Sequence, residues 1–110
     1  MKKDNTVYLR DMLTAISRIE EYMKNISYDD FLEESMRQDA VIRHLEIIGE
    51  AAAQLSSEYM KDASDFPMRE AVDMRNFLIH GYDEVDIKVV WKTIQTDIPS
   101  LKAKLLTLLS

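Results

Sequence analysis

The 110-residue chain has no cysteine, which excludes disulfides, thiolate metal ligands and a thiol nucleophile, and suits a reducing compartment. Glycine and proline occur only twice each, so few residues interrupt a chain rich in Leu, Ile, Met, Ala, Glu and Lys, and propensity favours helix throughout. No stretch approaches the roughly 20 apolar residues that span a bilayer. The opening MKKDNTVYLRDM meets Asp4, Asn5 and Arg10 where a signal peptide would carry an apolar run. These absences predict an all-α, cytoplasmic chain with no membrane partner. Positive charge is scarce as well: 14 Lys and Arg stand against 20 Asp and Glu, a net charge of −6. Phosphate binding draws on clustered cations, so no DNA partner is expected. A few arginines converging in one cleft can still hold a phosphate, because net charge constrains the whole surface and not each part of it.

What is present reads as amphipathic helices. From an N-cap at Asp4 or Asn5, the apolar residues Leu9, Met12, Leu13, Ile16, Ile19, Met23 and Ile26 recur at spacings of three and four. Ser27 to Asp30 breaks the pattern, with Asp29 or Asp30 placed to cap a short segment holding Phe31 and Leu32. A long second helix is predicted over roughly 36–56, with Val41, Leu45, Ile48, Ala52 and Leu55 in the 4,3,4,3 spacing of a bundle seam. Arg43, Glu46, Glu50 and Gln54 lie on its opposite side. Gly49, inside this helix, predicts a close approach by a neighbouring element. After a polar loop over 56–64, Asp65 and Pro67 open a third helix that Gly81 ends. Asp86 caps a fourth, with Ile87, Val90, Trp91, Ile94 and Ile98 on one stripe until Pro99 interrupts or kinks it, and a terminal helix covers 101–109. With no repeat, linker or low-complexity tract, residues 1–110 read as one domain, an antiparallel bundle of four to five helices.

Chemistry concentrates in Met74-Arg75-Asn76-Phe77-Leu78-Ile79-His80-Gly81-Tyr82. Asn76 and His80 are four apart, about 40° around a helix, and Arg75 is long enough to swing toward the same place. An Arg can fork onto phosphate oxygens and a His can move protons near neutral pH. That pairing suits cleavage of RNA, which carries its own 2′-hydroxyl nucleophile and so needs acid–base help and charge stabilisation but not necessarily a metal. The same three residues also fit a surface ion pair, a helix cap and a histidine at the negative end of a helix dipole. Spacing alone leaves both readings open.

The run Arg75-Asn76-x-x-x-His80 resembles the Arg, four to six residues, His signature of the HEPN superfamily. With Gly81-Tyr82 it is similar to the Arg-x4-His-x-Tyr motif of its HepT-like branch. The resemblance extends to Gln38–Arg43, to Leu45–Ala52, and to Val85-Asp86 with Val90-Trp91. Two departures stand out: Met68-Arg69 follows Phe66-Pro67 where the branch has Trp, and Asp83-Glu84 follows the motif tyrosine where it has an aromatic and Gly. The second sets two extra negative charges beside a proposed phosphate site. The resemblance implies a HEPN-like helical homodimer in which Arg75, Asn76 and His80 of both protomers face one another across a cleft. It further implies an endoribonuclease toxin, metal-independent and without a cofactor, of a type II/VII-like toxin–antitoxin pair. The partner implied is a minimal nucleotidyltransferase antitoxin that transfers AMP to Tyr82. Tyr82 also reads as an aromatic packing back on the motif helix.

Other residues admit plainer roles. His44, beside Arg43, is either a second phosphate contact or a satisfied helix histidine. Glu46 and Glu50 have the spacing of paired metal ligands but lack a third. They read better as polar groups that face the motif helix and, with Arg43, support it, pairing with Arg75. The seven methionines and Trp91 read as core, and no phosphate-cradling glycine loop exists. A different class of function stays open: a non-catalytic helical module that docks a nucleotidyltransferase and binds nucleotide, which the acidic composition suits.

Overall fold

The computed structural model describes residues 4–55 and 86–110. Its first helix, α1 (Asn5–Met23), starts where Asp4 accepts a hydrogen bond from the Thr6 amide at 3.0 Å, satisfying one of the orphan donors of the first turn. Leu9, Met12, Ala15, Ile16 and Ile19 form its buried stripe. The helix stops three residues short of Ile26. Lys24 is extended, and Asn25 takes φ 60°, a left-handed conformation that asparagine tolerates better than most residues.

The second helix, α2 (Tyr28–Glu33), corrects the expected cap. Ser27, not Asp29 or Asp30, occupies the N-cap: its hydroxyl accepts from the Asp30 amide at 3.1 Å, and the Asp30 carboxylate accepts from the Ser27 amide at 3.4 Å. This reciprocal box satisfies two donors at once and leaves Asp29 and Asp30 in the first turn, where the helix dipole favours negative charge. Phe31 is the only buried residue of α2.

The seam residues lie on α3 (Ser35–Ala53) and just past it. Val41, Leu45, Ile48, Ala52 and Leu55 are all buried, as the 4,3,4,3 spacing predicts. Gly49 is buried with them. The helix ends before the expected Ser56 because the last turn tightens: Gln54 donates to the carbonyls of Ala51 and Ala52, and Leu55 donates to Ala52 at 3.2 Å. The sharp α2–α3 junction at Glu34 has no side-chain cap of its own. Its carbonyls are instead met by Gln38, whose side-chain amide donates to Phe31 O at 2.7 Å and Leu32 O at 3.1 Å. Arg37 forks onto Glu34 at 3.1 and 3.2 Å and also donates to Tyr22 O at the end of α1. Three segments are thereby fastened at one corner, and α3 returns antiparallel to α1.

Beyond 56–85 the chain re-enters as α4 (Ile87–Lys92), with Asp86 accepting from the Lys88 amide at 2.9 Å. Pro99 does not end the helix, which corrects the expected interruption and the separate terminal helix over 101–109. A π-turn over Thr93–Asp97 carries α4 directly into α5 (Ile98–Leu109), with the Ile98 amide reaching back five residues to Thr93 O. Proline lacks an amide hydrogen, and its ring would crowd the carbonyl four residues earlier, here that of Gln95. Widening the preceding turn by one residue moves that carbonyl aside. Val90, Ile94, Ile98, Leu101 and Leu105 remain on one buried face through the turn.

These stripes meet in one hydrophobic cluster with those of α1, α2 and α3. Phe31 packs on Trp91 at 5.8 Å and Tyr28 on the same indole at 5.3 Å, so the lone Trp fills a helix interface as expected. Glu20 and Lys102 close the α1–α5 contact with an ion pair at 2.8 Å. Among the described residues there is no strand, and no helix is long and apolar enough to cross a membrane. The fold is an all-α bundle of the predicted class.

Candidate functional site

Arg75, Asn76, His80 and Tyr82 lie outside the described residues. The three residues expected to support them, Arg43, Glu46 and Glu50, sit on the solvent side of α3 because the opposite side is committed to the seam. They come together there. Arg43 Nη1 donates to Glu46 Oε2 at 3.4 Å and lies 3.9 Å from Glu50 Oε1, so one guanidinium bridges two carboxylates one helical turn apart. Glu46 and Glu50 thus have Arg43 as their described partner, and the expected pairing with Arg75 lies outside the described residues. The Arg43 and Glu50 side chains are 60% and 50% exposed, and pairs so open to water contribute about 0–1 kcal/mol each. The cluster is therefore a poor account of stability. Its net charge of −1 also prevents Arg43, as placed, from serving as a free phosphate fork.

His44 is half-buried at the edge of the bundle. Its Nδ1 lies 2.8 Å from the carbonyl of Ala40, and its ring meets that of Tyr22 edge-on at 5.4 Å. A carbonyl can only accept, so Nδ1 carries the hydrogen and Nε2 remains for other partners. This is the satisfied helix histidine, one of the two readings of the sequence.

His44 and Glu50 also line a groove of about 400 Å³ between α1 and α3, facing Tyr8, Asp11, Thr14 and Arg18 across it. Sequence reading passed over these four α1 residues. A signal was available, since Tyr8, Asp11, Thr14 and Arg18 recur at spacings of three and four beside the buried stripe, and a polar stripe so close to the core edge rims a groove. Arg18 is itself tied to Glu21 at 3.4 Å. The groove therefore presents mixed, mostly compensated charge. Among the described residues no group of three His, Asp or Glu side chains could hold a metal ion.

The chain matches the family described as "Ribonuclease HepT-like" over residues 12–108, from within α1 to the end of α5. It belongs to that family. A Thermococcus cleftensis protein named "Probable ribonuclease HepT" is 46% identical over 104 residues, covering 94% of each chain. One from Methanocaldococcus jannaschii, named "Gamma-glutamylcyclotransferase and putative RNase", is 41% identical over 109 residues; the present chain covers 49% of it. A second M. jannaschii protein, named "Putative RNase", is 37% identical over 101 residues, covering 92% of this chain and 93% of the relative. No solved structure matches. The HepT-like match includes the α3 cluster and also residues 75–82, so the described bundle and the motif segment fall within one family relationship.

Proposed function

We propose that this HepT-like chain is a metal-independent endoribonuclease, cytoplasmic and homodimeric, whose active site is built from Arg75, Asn76 and His80 of two protomers. The observation that carries the reading is a family match running nearly the whole length of a chain that holds a complete Arg75-Asn76-x-x-x-His80 set. In the reaction His80 takes the proton from the RNA 2′-hydroxyl. The 2′-oxygen attacks the adjacent phosphorus, the P–O5′ bond breaks, and the leaving 5′-oxygen is protonated, giving a 2′,3′-cyclic phosphate and a 5′-hydroxyl. Arg75 stabilises the charge on the phosphorane oxygens, and Asn76 orients one of the two. Arg43, Glu46 and Glu50 act at a distance by fixing the α3 face that supports the motif helix. Purified protein should cleave single-stranded RNA with undiminished rate in excess EDTA and leave 2′,3′-cyclic ends. Loss of cleavage on chelation, or 3′-hydroxyl products, would refute this chemistry.

The same reading makes the chain the toxin of a toxin–antitoxin pair, silenced when a minimal nucleotidyltransferase transfers AMP to Tyr82. Tyr82 is two residues past His80. A phosphodiester anion placed there would occupy the Arg75 charge and repel RNA phosphates beside Asp83 and Glu84. Mass spectrometry after co-expression with such a transferase should find AMP on Tyr82 and none in Tyr82→Phe; AMP on another residue would refute the assignment. The net charge of −6 favours a second reading, a non-catalytic module that docks the transferase. In that case RNA would remain intact while the two proteins still co-elute.

A further inference from the structure

Positive charge is unevenly spread along the chain. Residues 1–85 carry a net −8, whereas residues 86–110 carry Lys88, Lys92, Lys102 and Lys104 against Asp86 and Asp97, a net +2. Four of the other described cations are already engaged: Arg18 with Glu21, Arg37 with Glu34, Arg43 with Glu46 and Glu50, and Lys102 with Glu20. Lys88 and Lys92 form no ion pair among the described residues, and both are exposed. They are four apart on α4, hence on one side of the helix and separated by about 6 Å along its axis, comparable to the spacing of neighbouring phosphates on a single strand.

The surface continues past them. Gln95 and Thr96, both exposed, follow Lys92 in the π-turn, an element found often at functional sites. Covalent geometry bounds the separation from the end of the motif: Asp86 is four links from Tyr82, so their Cα atoms are at most about 14 Å apart. We infer that Lys88 and Lys92, with Gln95 and Thr96, form a track for the phosphate backbone of single-stranded RNA leading from the motif along α4. The inference rests on the ribonuclease reading and deepens it. It also addresses the acidic composition, since Lys88 and Lys92 concentrate positive charge, unpaired among the described residues, on one side of α4 in a chain of net charge −6.

The probe is a fluorescent 2′-O-methyl RNA oligonucleotide, which lacks the nucleophile and cannot be cleaved, titrated with the full chain at 50–300 mM salt. For a single strand each phosphate contact contributes about 0.7 to the slope of log K against log salt. Lys88→Gln with Lys92→Gln should therefore lower the slope magnitude by about 1.4 and weaken binding roughly 10- to 30-fold at 0.1 M salt. Turnover of a dinucleotide, too short to reach both lysines, should stay at the wild-type rate. Lys24→Gln, the loss of one charge just past the end of α1 and outside α4, should leave the slope unchanged. An unchanged slope in the double variant, or an equal loss in Lys24→Gln, overturns the track while wild-type cleavage leaves the ribonuclease reading intact. If the wild-type chain neither binds nor cleaves RNA, both fall together.

Discussion

Replacing His80 with alanine is expected to lower RNA cleavage by about 10²- to 10⁴-fold, the range that a positioned acid–base group contributes. The substitution removes the only titratable group in 75–80 able to exchange protons near neutral pH, since Arg75 stays protonated and Asn76 does not titrate. Arg75→Ala should be comparably damaging, at roughly 10²- to 10³-fold, because charge developing on the phosphorane loses its preorganised partner. Arg75→Lys separates charge from geometry: a lysine restores the charge but not the planar fork, so recovery should be partial. These outcomes also discriminate against the plainer reading of the motif. If His80 only complemented the helix dipole, its loss would cost about 0.3–1 kcal/mol of stability and leave catalysis unaltered. Single-turnover cleavage and thermal melting of the same preparations therefore decide the matter. Light scattering should show about twice the 12.8 kDa chain mass for each variant. Full activity in both His80→Ala and Arg75→Ala would end the catalytic assignment.

Much of the bundle was readable because burial imposes a period. On α1 and α3 the apolar residues had to recur every three or four positions to meet one core: the five so spaced on and just past α3 are all buried, whereas on α1 Leu9, Met12, Ile16 and Ile19 are buried with the unpredicted Ala15, and Leu13, Met23 and Ile26 are only half-buried. Caps were readable where a single acid precedes a stripe, as Asp4 and Asp86 do. At α2 the two acids Asp29 and Asp30 were the expected caps, but the box closes with Asp30 where glutamate or glutamine is usual, so the choice of Ser27 depended on backbone geometry. The end of α3 was harder still, since Gln54-Leu55-Ser56 holds neither glycine nor proline to mark it. Pro99 signalled a disturbance, but not that a π-turn would absorb it before the proline is reached. The Arg43, Glu46 and Glu50 grouping follows from spacings of three and four on one helix. The α1–α3 groove does not, because the register of two helices decides which residues face each other across it.

Phe31→Ala is expected to cost about 3–5 kcal/mol, the usual loss for truncating a buried aromatic, against a total stability of roughly 5–15 kcal/mol for a domain of this size. Phe31 is fully buried and is the sole core residue of the six-residue α2. A helix that short has little stability of its own, so α2 stays docked through the two rings that meet Trp91, of which only that of Phe31 is fully buried. The ring packs on Trp91 of α4, 5.8 Å away and inclined by 42°, and its loss would leave both a cavity and an unsupported indole face. Leu32, the next residue, is 44% exposed, and Leu32→Ala should shift stability by no more than about 0.5 kcal/mol. Phe31→Leu keeps most of the volume and should fall between the two. Urea denaturation measures each value. Because the chain has a single tryptophan, its fluorescence reports the same contact directly: native emission should move to the red in Phe31→Ala and not in Leu32→Ala. A Phe31→Ala protein within 1 kcal/mol of wild type, with unmoved emission, would show that α2 is held by its capping box and by Gln38 and Arg37 at the α3 junction, and that the ring adds little.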